Sequence, residues 1–257
     1  MTDAPSQFIW YELMTTEIDA AAKFYGAVVG WTLHDSGMPG FDYRILHAGD
    51  TAIGGMLTLP EAAAAGGMKP GWFGYINVAD VDACLAAVTA AGGSVCMPAN
   101  DIPGVGRIAM IRDPQGAAIY VMAPSGTGPS TAFAPGKPGH CGWNELHAAD
   151  GQAAFSFYSV QFGWSLSSEM DMGPMGKYLL FNAGSEMIGG MMTSPNMPHP
   201  AWLTYFMVDD ITTAQVRVAD AGGSVIHGAR EVPGGAWVVN GIDPQGVMFA
   251  LVGPKLT

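Results

Sequence analysis

The chain repeats itself. Trp10-Tyr11-Glu12-Leu13, Phe24-Tyr25 and Gly30-Trp31 return as Trp143-Asn144-Glu145-Leu146, Phe157-Tyr158 and Gly163-Trp164, each 133 positions later. Three separated clusters at one spacing establish an internal duplication, which narrows the available folds more than any composition figure. The correspondence runs on. Gly54-Gly55-Met56 returns as Gly189-Gly190-Met191 at an offset of 135, and Trp72, Tyr75 and Asp80 return as Trp202, Tyr205 and Asp210 at 130. Gly92-Gly93-Ser94-Val95 and Asp113-Pro114-Gln115-Gly116 return as Gly222-Gly223-Ser224-Val225 and Asp243-Pro244-Gln245-Gly246. The drift marks short loop insertions, and a period of this length is the size of a domain, not of a solenoid repeat. Two homologous domains are expected, residues 1–123 and 140–257, joined by a Pro/Gly-rich linker over 124–139.

Within each domain the pattern alternates strand, helix and three strands. Residues 8–13 alternate apolar and polar side chains and read as a strand. Thr16 with Asp19 reads as a capping box for a helix over 20–29 that stops at Gly30. Strands are expected at 31–34, 43–48 and 51–58. A second unit follows, with a strand over 72–78, Asp80 capping a helix over 81–91, and strands at 94–97, 107–112 and 117–122. The second half repeats both units, with Asp150 and Asp210 as helix caps. The fold class is therefore α+β, with four βαβββ modules, two per domain.

Composition closes off several functions. At 257 residues and 49% hydrophobic, the chain can bury two ordinary cores, and no apolar run is long enough to span a bilayer. The opening Met1-Thr2-Asp3-Ala4-Pro5-Ser6 lacks a signal pattern. A formal net charge of −12, with ten Lys and Arg, argues against nucleic acid and anionic membrane surfaces as partners. Three cysteines, Cys84, Cys96 and Cys141, differ between the halves and suit a reducing cytoplasm, without a disulfide framework or zinc spacing. Seventeen Met supply adaptable apolar surface, fit for packing or for a small-molecule pocket.

Phe24-Tyr25…Gly30-Trp31, Val78-Ala79-Asp80-Val81-Asp82, Ala91-Gly92-Gly93 and Asp113-Pro114-Gln115-Gly116, each with its second-half counterpart, resemble the vicinal oxygen chelate superfamily. That superfamily contains glyoxalase I, extradiol dioxygenases, fosfomycin-resistance transferases and bleomycin-binding proteins. The Trp-x-Glu-Leu opening of both halves is similar to the two-domain branch represented by an actinobacterial culture-filtrate antigen and by glyoxalase-like or hydroxylase proteins. The resemblance implies modules paired into two cup-shaped, mostly antiparallel sheets whose concave faces hold a metal or ligand. It also implies metal ligands on the opening and closing strands. The matching positions hold Trp10, Phe73, Gly55 or Met56, and Tyr120 in the first domain, and Trp143, Leu203, Gly190 or Met191, and Ala250 in the second. Sliding the register by one gives Tyr11, Trp72, Ile119, Asn144, Trp202 and Phe249, no better as ligands of a divalent ion. The family's metal triad is thus expected to be absent, and no cofactor is expected.

Strand alternation puts Trp10, Glu12 and Met14 on one face, and Trp143, Glu145 and His147 on one face. A carboxylate inside an aromatic cup is expected to have a raised pKa and to act as a general base, so Glu145, His147 and Glu12 are the catalytic candidates. Glu12 and Glu145 equally fit a structural role, accepting bonds from backbone or Trp N–H groups. The second domain is better equipped, because the counterpart of His147, read as Thr15 or Thr16, cannot titrate. Substrate-binding candidates are Trp143, Trp202, Tyr178, Met191, Trp10, Trp72, Tyr120 and Tyr43. His34, His140, His199 and His227 have no counterparts and read as solvated, and no Ser-His-Asp order stands out. The leading reading is a cytoplasmic small-molecule protein, monomer or homodimer, that binds an apolar or aromatic compound and uses Glu145 with His147 for acid–base chemistry. Two alternatives stand beside it: a sequestering protein of the bleomycin-resistance type, and a metal-dependent lyase or dioxygenase that recruits Glu12 or Glu145 with His147.

Overall fold

A computed structural model describes residues 6–38 and 40–256. The opening stretch that lacks a signal pattern lies, up to Pro5, outside the described residues. The first half runs β1 (Phe8–Thr15), α1 (Ile18–Val29), β2 (Thr32–Asp35), β3 (Tyr43–Ala48), β4 (Thr51–Thr58), a short α2 (Glu61–Ala65), β5 (Gly71–Asn77), α3 (Val81–Ala90), β6 (Ser94–Ile102), β7 (Gly106–Arg112) and β8 (Ala118–Pro124). The second half runs β9 (Cys141–Ala148), α4 (Gly151–Phe162), β10 (Ser165–Asp171), β11 (Lys177–Ala183), β12 (Glu186–Thr193), β13 (Ala201–Met207), α5 (Ile211–Asp220), β14 (Ser224–Glu231), β15 (Trp237–Ile242) and β16 (Met248–Gly253). Four βαβββ modules are present, as the repeat implies.

The strands form two eight-stranded sheets, ordered β2-β3-β4-β1-β5-β8-β7-β6 and β10-β11-β12-β9-β13-β16-β15-β14. In every module the helix carries the chain across, and a meander brings the last strand back beside the first. That pair is therefore parallel, as in β1 with β4, β5 with β8, β9 with β12 and β13 with β16. The meander strands pair antiparallel.

Local signals set the helix ends. The carboxylates of Asp80, Asp150 and Asp210 accept from Ala83, Ala153 and Thr213 backbone N–H groups, and Gly30 closes α1 at φ 89°. The Thr16 capping box does not form. Helix α1 starts at Ile18 behind Glu17, without a side-chain cap, and Asp19 pairs with Arg44 at 2.7 Å. Beyond Pro124, which ends β8, the segment 125–139 holds no helix or strand, yet it is tied down. Ser130 Oγ donates to the Ile9 carbonyl at 2.6 Å, Phe133 bridges to Cys141, and Ala132 is buried. His140, expected in solvent, is buried and places Nδ1 2.6 Å from the Thr131 carbonyl. No helix among the described residues is long and apolar enough to cross a membrane.

The chain packs as two compact units, each taking one module from each half of the sequence. One comprises the residues up to Ile9, Gly74–Ser130 and Asn144–Leu203, the other Trp10–Phe73, Thr131–Trp143 and Thr204–Thr257. In the first, Trp164 lies between Tyr158 and Phe181 at centroid distances of 5.6 and 4.7 Å, with Phe8 and Trp202 alongside. In the second, Phe206 sits 4.8 Å from Trp31 and 4.7 Å from Trp72, and Phe249 packs on Phe24 and Tyr25. Aromatic pairs at these separations add to the stabilisation from area burial alone.

A polar joint runs through each of these cores. Trp72 Nε1 donates to the Tyr25 hydroxyl at 2.9 Å, which donates to Asp243 Oδ2 at 3.1 Å. Asp243 Oδ1 meanwhile accepts from the backbone N–H groups of Gln245 and Val247 and so builds its own turn. In the other unit Trp202 Nε1 donates to the Tyr158 hydroxyl at 3.1 Å, and Tyr158 stands against Asp113. Here the joint is looser, since Asp113 Oδ2 meets no hydrogen-bond partner among the described residues. Burial first, and the facing carboxylate second, push both tyrosine hydroxyls well above the usual phenol range. Both remain protonated donors at neutral pH.

Tyr25→Phe strands the Trp72 N–H and one Asp243 oxygen in the core. It is expected to cost about 1–3 kcal/mol in urea unfolding, with a smaller loss for Tyr158→Phe because its joint is already loose. Burial raises the carboxyl pKa of both Asp113 and Asp243 above 3.8. The folded state therefore holds their protons more tightly than the unfolded chain does. This contribution is complete below the unfolded pKa and is lost as pH rises toward the raised folded values. Asp243→Asn should flatten the acid-side fall of stability with rising pH, measured by denaturant titration across that range.

Candidate active site

Strand β9 carries the candidate carboxylate. Its burial alternates, with Asn144, Leu146 and Ala148 buried and Trp143, Glu145 and His147 partly exposed. The pairing with β12 sets Glu145 opposite Gly190 and His147 opposite Met192. The glycine is required there. A Cβ on Gly190 would come within 2.3 Å of the Tyr178 hydroxyl oxygen, so the missing side chain is the seat for that phenol. From this seat Tyr178 donates to Glu145 Oε2 at 2.6 Å. The other carboxylate oxygen, Oε1, lies 2.9 Å from His147 Nε2, and His147 Nδ1 lies 2.8 Å from Ser194 Oγ. The Glu145 and His147 side chains are only 12% and 19% exposed.

The proton positions follow from chemistry. A carboxylate that is ionised only accepts, so a hydrogen on His147 Nε2 is the one that points toward Glu145, and this is the tautomer considered. Nδ1 is then an acceptor, and the Ser194 hydroxyl donates to it. The result is a directed chain from Ser194 through His147 to Glu145, with the Tyr178 hydroxyl entering from the far side.

The first half carries a reduced version. Glu12 is buried and registered on Gly55, where a Cβ would meet the Tyr43 hydroxyl at about 1.9 Å. Trp10 Nε1 donates to that hydroxyl at 2.9 Å. Met14, registered on Leu57, stands where the second half has His147 registered on Met192. The counterpart of His147 is therefore Met14, and neither Thr15 nor Thr16.

The other sequence candidates divide by strand face. Trp72 and Trp202 do not wall these clusters, because their indoles serve the Tyr25 and Tyr158 joints inside the aromatic cores. On β5 the face opposite Trp72 carries Tyr75, which stacks on Tyr120 at 4.2 Å and an interplanar angle of 9°. Met191 is fully buried and registered on Leu146, on the face away from Glu145, so Met192 takes its place beside His147. Sequence reasoning missed Tyr75, Met192 and Ser194. Tyr75 was flagged only by its repetition as Tyr205, and Ser194, 47 residues from its histidine, gave no signal at all.

The model of the Glyoxalase/Bleomycin resistance protein/Dioxygenase superfamily matches residues 7–121 and again 137–251. The chain belongs to this superfamily. CFP32 of Mycobacterium tuberculosis, a protein named as a proposed glyoxylase, is 35% identical over 248 residues, covering 95% of this chain and 94% of that one. The anthracycline biosynthesis protein DnrV of Streptomyces peucetius is 30% identical over 268 residues, covering 97% and 94%. Among solved structures, the Mn(II)-bound glyoxalase of Novosphingobium aromaticivorans superposes with a TM-score of 0.66 at 18% identity, over 97% of this chain and 82% of that one. A 2,2',3-trihydroxybiphenyl 1,2-dioxygenase of Sphingomonas wittichii gives 0.65 at 13%, over 97% and 90%. Likeness at such identities shows the fold alone.

A divalent metal, as in the manganese-bound relative, needs a convergent donor set. Among the described residues no three His, Cys, Asp or Glu side chains come together. At Glu145 one carboxylate and one imidazole are available, and they are bonded to each other, to Tyr178 and to Ser194. This cluster does not fit the family's metal site.

Gly190→Ala tests the seat. The added methyl must displace the Tyr178 ring, so the Tyr178–Glu145 bond should be lost, with a stability cost of about 1–3 kcal/mol. A crystal structure of the variant and its thermal melt would show both effects.

Proposed function

We propose that this chain is a glyoxalase-like enzyme acting on a small apolar or aromatic carbonyl compound, with Glu145 as the general base and His147 as its partner. The observation that carries this reading is the clamp on Glu145, whose two oxygens are held by the Tyr178 hydroxyl at 2.6 Å and by His147 at 2.9 Å. A largely buried, oriented carboxylate faces little competition from water. A substrate carbonyl that accepts the Tyr178 hydroxyl leaves Glu145 Oε2 to take the proton from the adjacent carbon. The negative charge then moves onto the carbonyl oxygen, where the phenol donates. The relatives' names, glyoxylase and anthracycline biosynthesis protein, support a small-molecule role. The net charge of −12 supports a role without nucleic acid, and three cysteines that do not recur between the halves support a reducing cytoplasm.

For the first half a second reading is favoured, ligand sequestration without turnover. Met14 occupies the histidine's place there, so the first half does not repeat the imidazole that bonds Glu145 in the second.

The test is deuterium exchange at carbons next to the carbonyl of methylglyoxal and of aryl ketones, followed by NMR in D2O, with thermal shift reporting binding. Glu145→Gln should slow enzyme-dependent exchange about 10²–10⁴-fold while the ligand-induced rise in Tm is kept. Exchange unchanged in Glu145→Gln sinks the assignment.

A further inference from the structure

The far end of the Glu145 chain opens on a different space. Ser194 lines a pocket of about 110 Å³ together with Ala148, Ala149, Pro195, Met197 and Pro200. Its walls carry no charged side chain. The volume equals a few water molecules at about 30 Å³ each, room for a short acyl group. We propose that Ser194 is a nucleophile toward short-chain acyl esters, activated by His147 and Glu145. The inference needs only the contacts of His147 and goes beyond the carbonyl chemistry proposed above.

Three features support it. The Ser194–His147 and His147–Glu145 separations, 2.8 and 2.9 Å, lie within the range at which a base can take a hydroxyl proton and a carboxylate can orient that base. The carboxylate also fixes the tautomer, so the ring nitrogen facing Ser194 is the unprotonated one. This is the logic of serine–histidine–acid hydrolases with the two ring nitrogens exchanged. Finally, Ser194 is held in place at the end of β12. Its N–H donates to the Ala148 carbonyl at 2.8 Å, and its own carbonyl accepts from Met197 at 3.1 Å. Ser194 thus sits at a turn beside the pocket, its Oγ held at His147 Nδ1.

The steps balance. Ser194 Oγ bonds to the ester carbonyl carbon as its proton passes to His147 Nδ1. The bond to the leaving alcohol breaks, and that oxygen takes the proton from Nδ1. Water then attacks the acyl-serine, giving its proton to Nδ1, and the serine oxygen leaves and recovers that proton. The products are the alcohol and the carboxylic acid, with His147 and Glu145 unchanged.

The full chain is treated with a fluorophosphonate probe and the labelled peptide is mapped by mass spectrometry, while hydrolysis of p-nitrophenyl acetate is followed in parallel. Label is expected on Ser194. Ser194→Ala should bring hydrolysis to the uncatalysed background, and His147→Asn should slow it about 10²–10⁴-fold, with thermal melts confirming that both variants fold. Absence of label on Ser194 in the unaltered chain overturns the proposal, as does hydrolysis by folded Ser194→Ala at the unaltered rate. Mapping on the unaltered chain decides the matter even if a variant unfolds. Because α-carbon exchange is read separately, loss of one activity does not entail loss of the other.

Discussion

A phenol hydroxyl buried against a carboxylate holds each unit in register. Tyr25 is fully buried, and its hydroxyl meets the Trp72 indole N–H and Asp243, 218 positions away in the chain. None of the three polar groups can be left alone there without a cost of about 1–3 kcal/mol each. Asp243 satisfies this demand while also shaping its own turn, since one oxygen serves the backbone and the other the phenol. The helix that opens one half is thereby fastened to the turn that precedes the last strand of the other. The Tyr158–Asp113 joint stands in the same place in the other unit, with a less complete set of bonds.

The joints have a consequence for the strand faces. Satisfying the tyrosines draws Trp72 and Trp202 to the core side of β5 and β13. The next residues along those strands must then project the other way, which puts Tyr75 on the opposite face, stacked on Tyr120. The positions of the large indoles are thus set by hydrogen bonding in the core, whatever a ligand requires.

Duplication supplies two copies of one scaffold, and single residues differentiate them. Both halves keep a glutamate, a glycine opposite it and a tyrosine seated over that glycine. They part at Met14 and His147. The first half has a thioether at that position, whereas in the second an imidazole extends the carboxylate into a hydrogen-bonded chain that reaches Ser194.

The four modules, their helix caps at Asp80, Asp150 and Asp210, and the facing of Glu145 with His147 were legible from the residues. Each rests on local rules: chain duplication, a short side chain reaching its own helix end, and the two-residue period of a strand. Thr16 shows the limit even of local reading, because Glu17 takes the cap position of α1 and no side chain caps it. Only the tertiary structure decided where Trp72, Trp202, Met191 and Ser194 lie, since each placement depends on which strand lies alongside. Pairing slides or holds according to packing that is spread over the chain. The Phe-Tyr and Asp-Pro-Gln-Gly motifs were visible as repeats, but that Tyr25 meets Asp243 could be settled only by folding, because a hydrogen bond records distance in space and leaves no mark on distance in sequence.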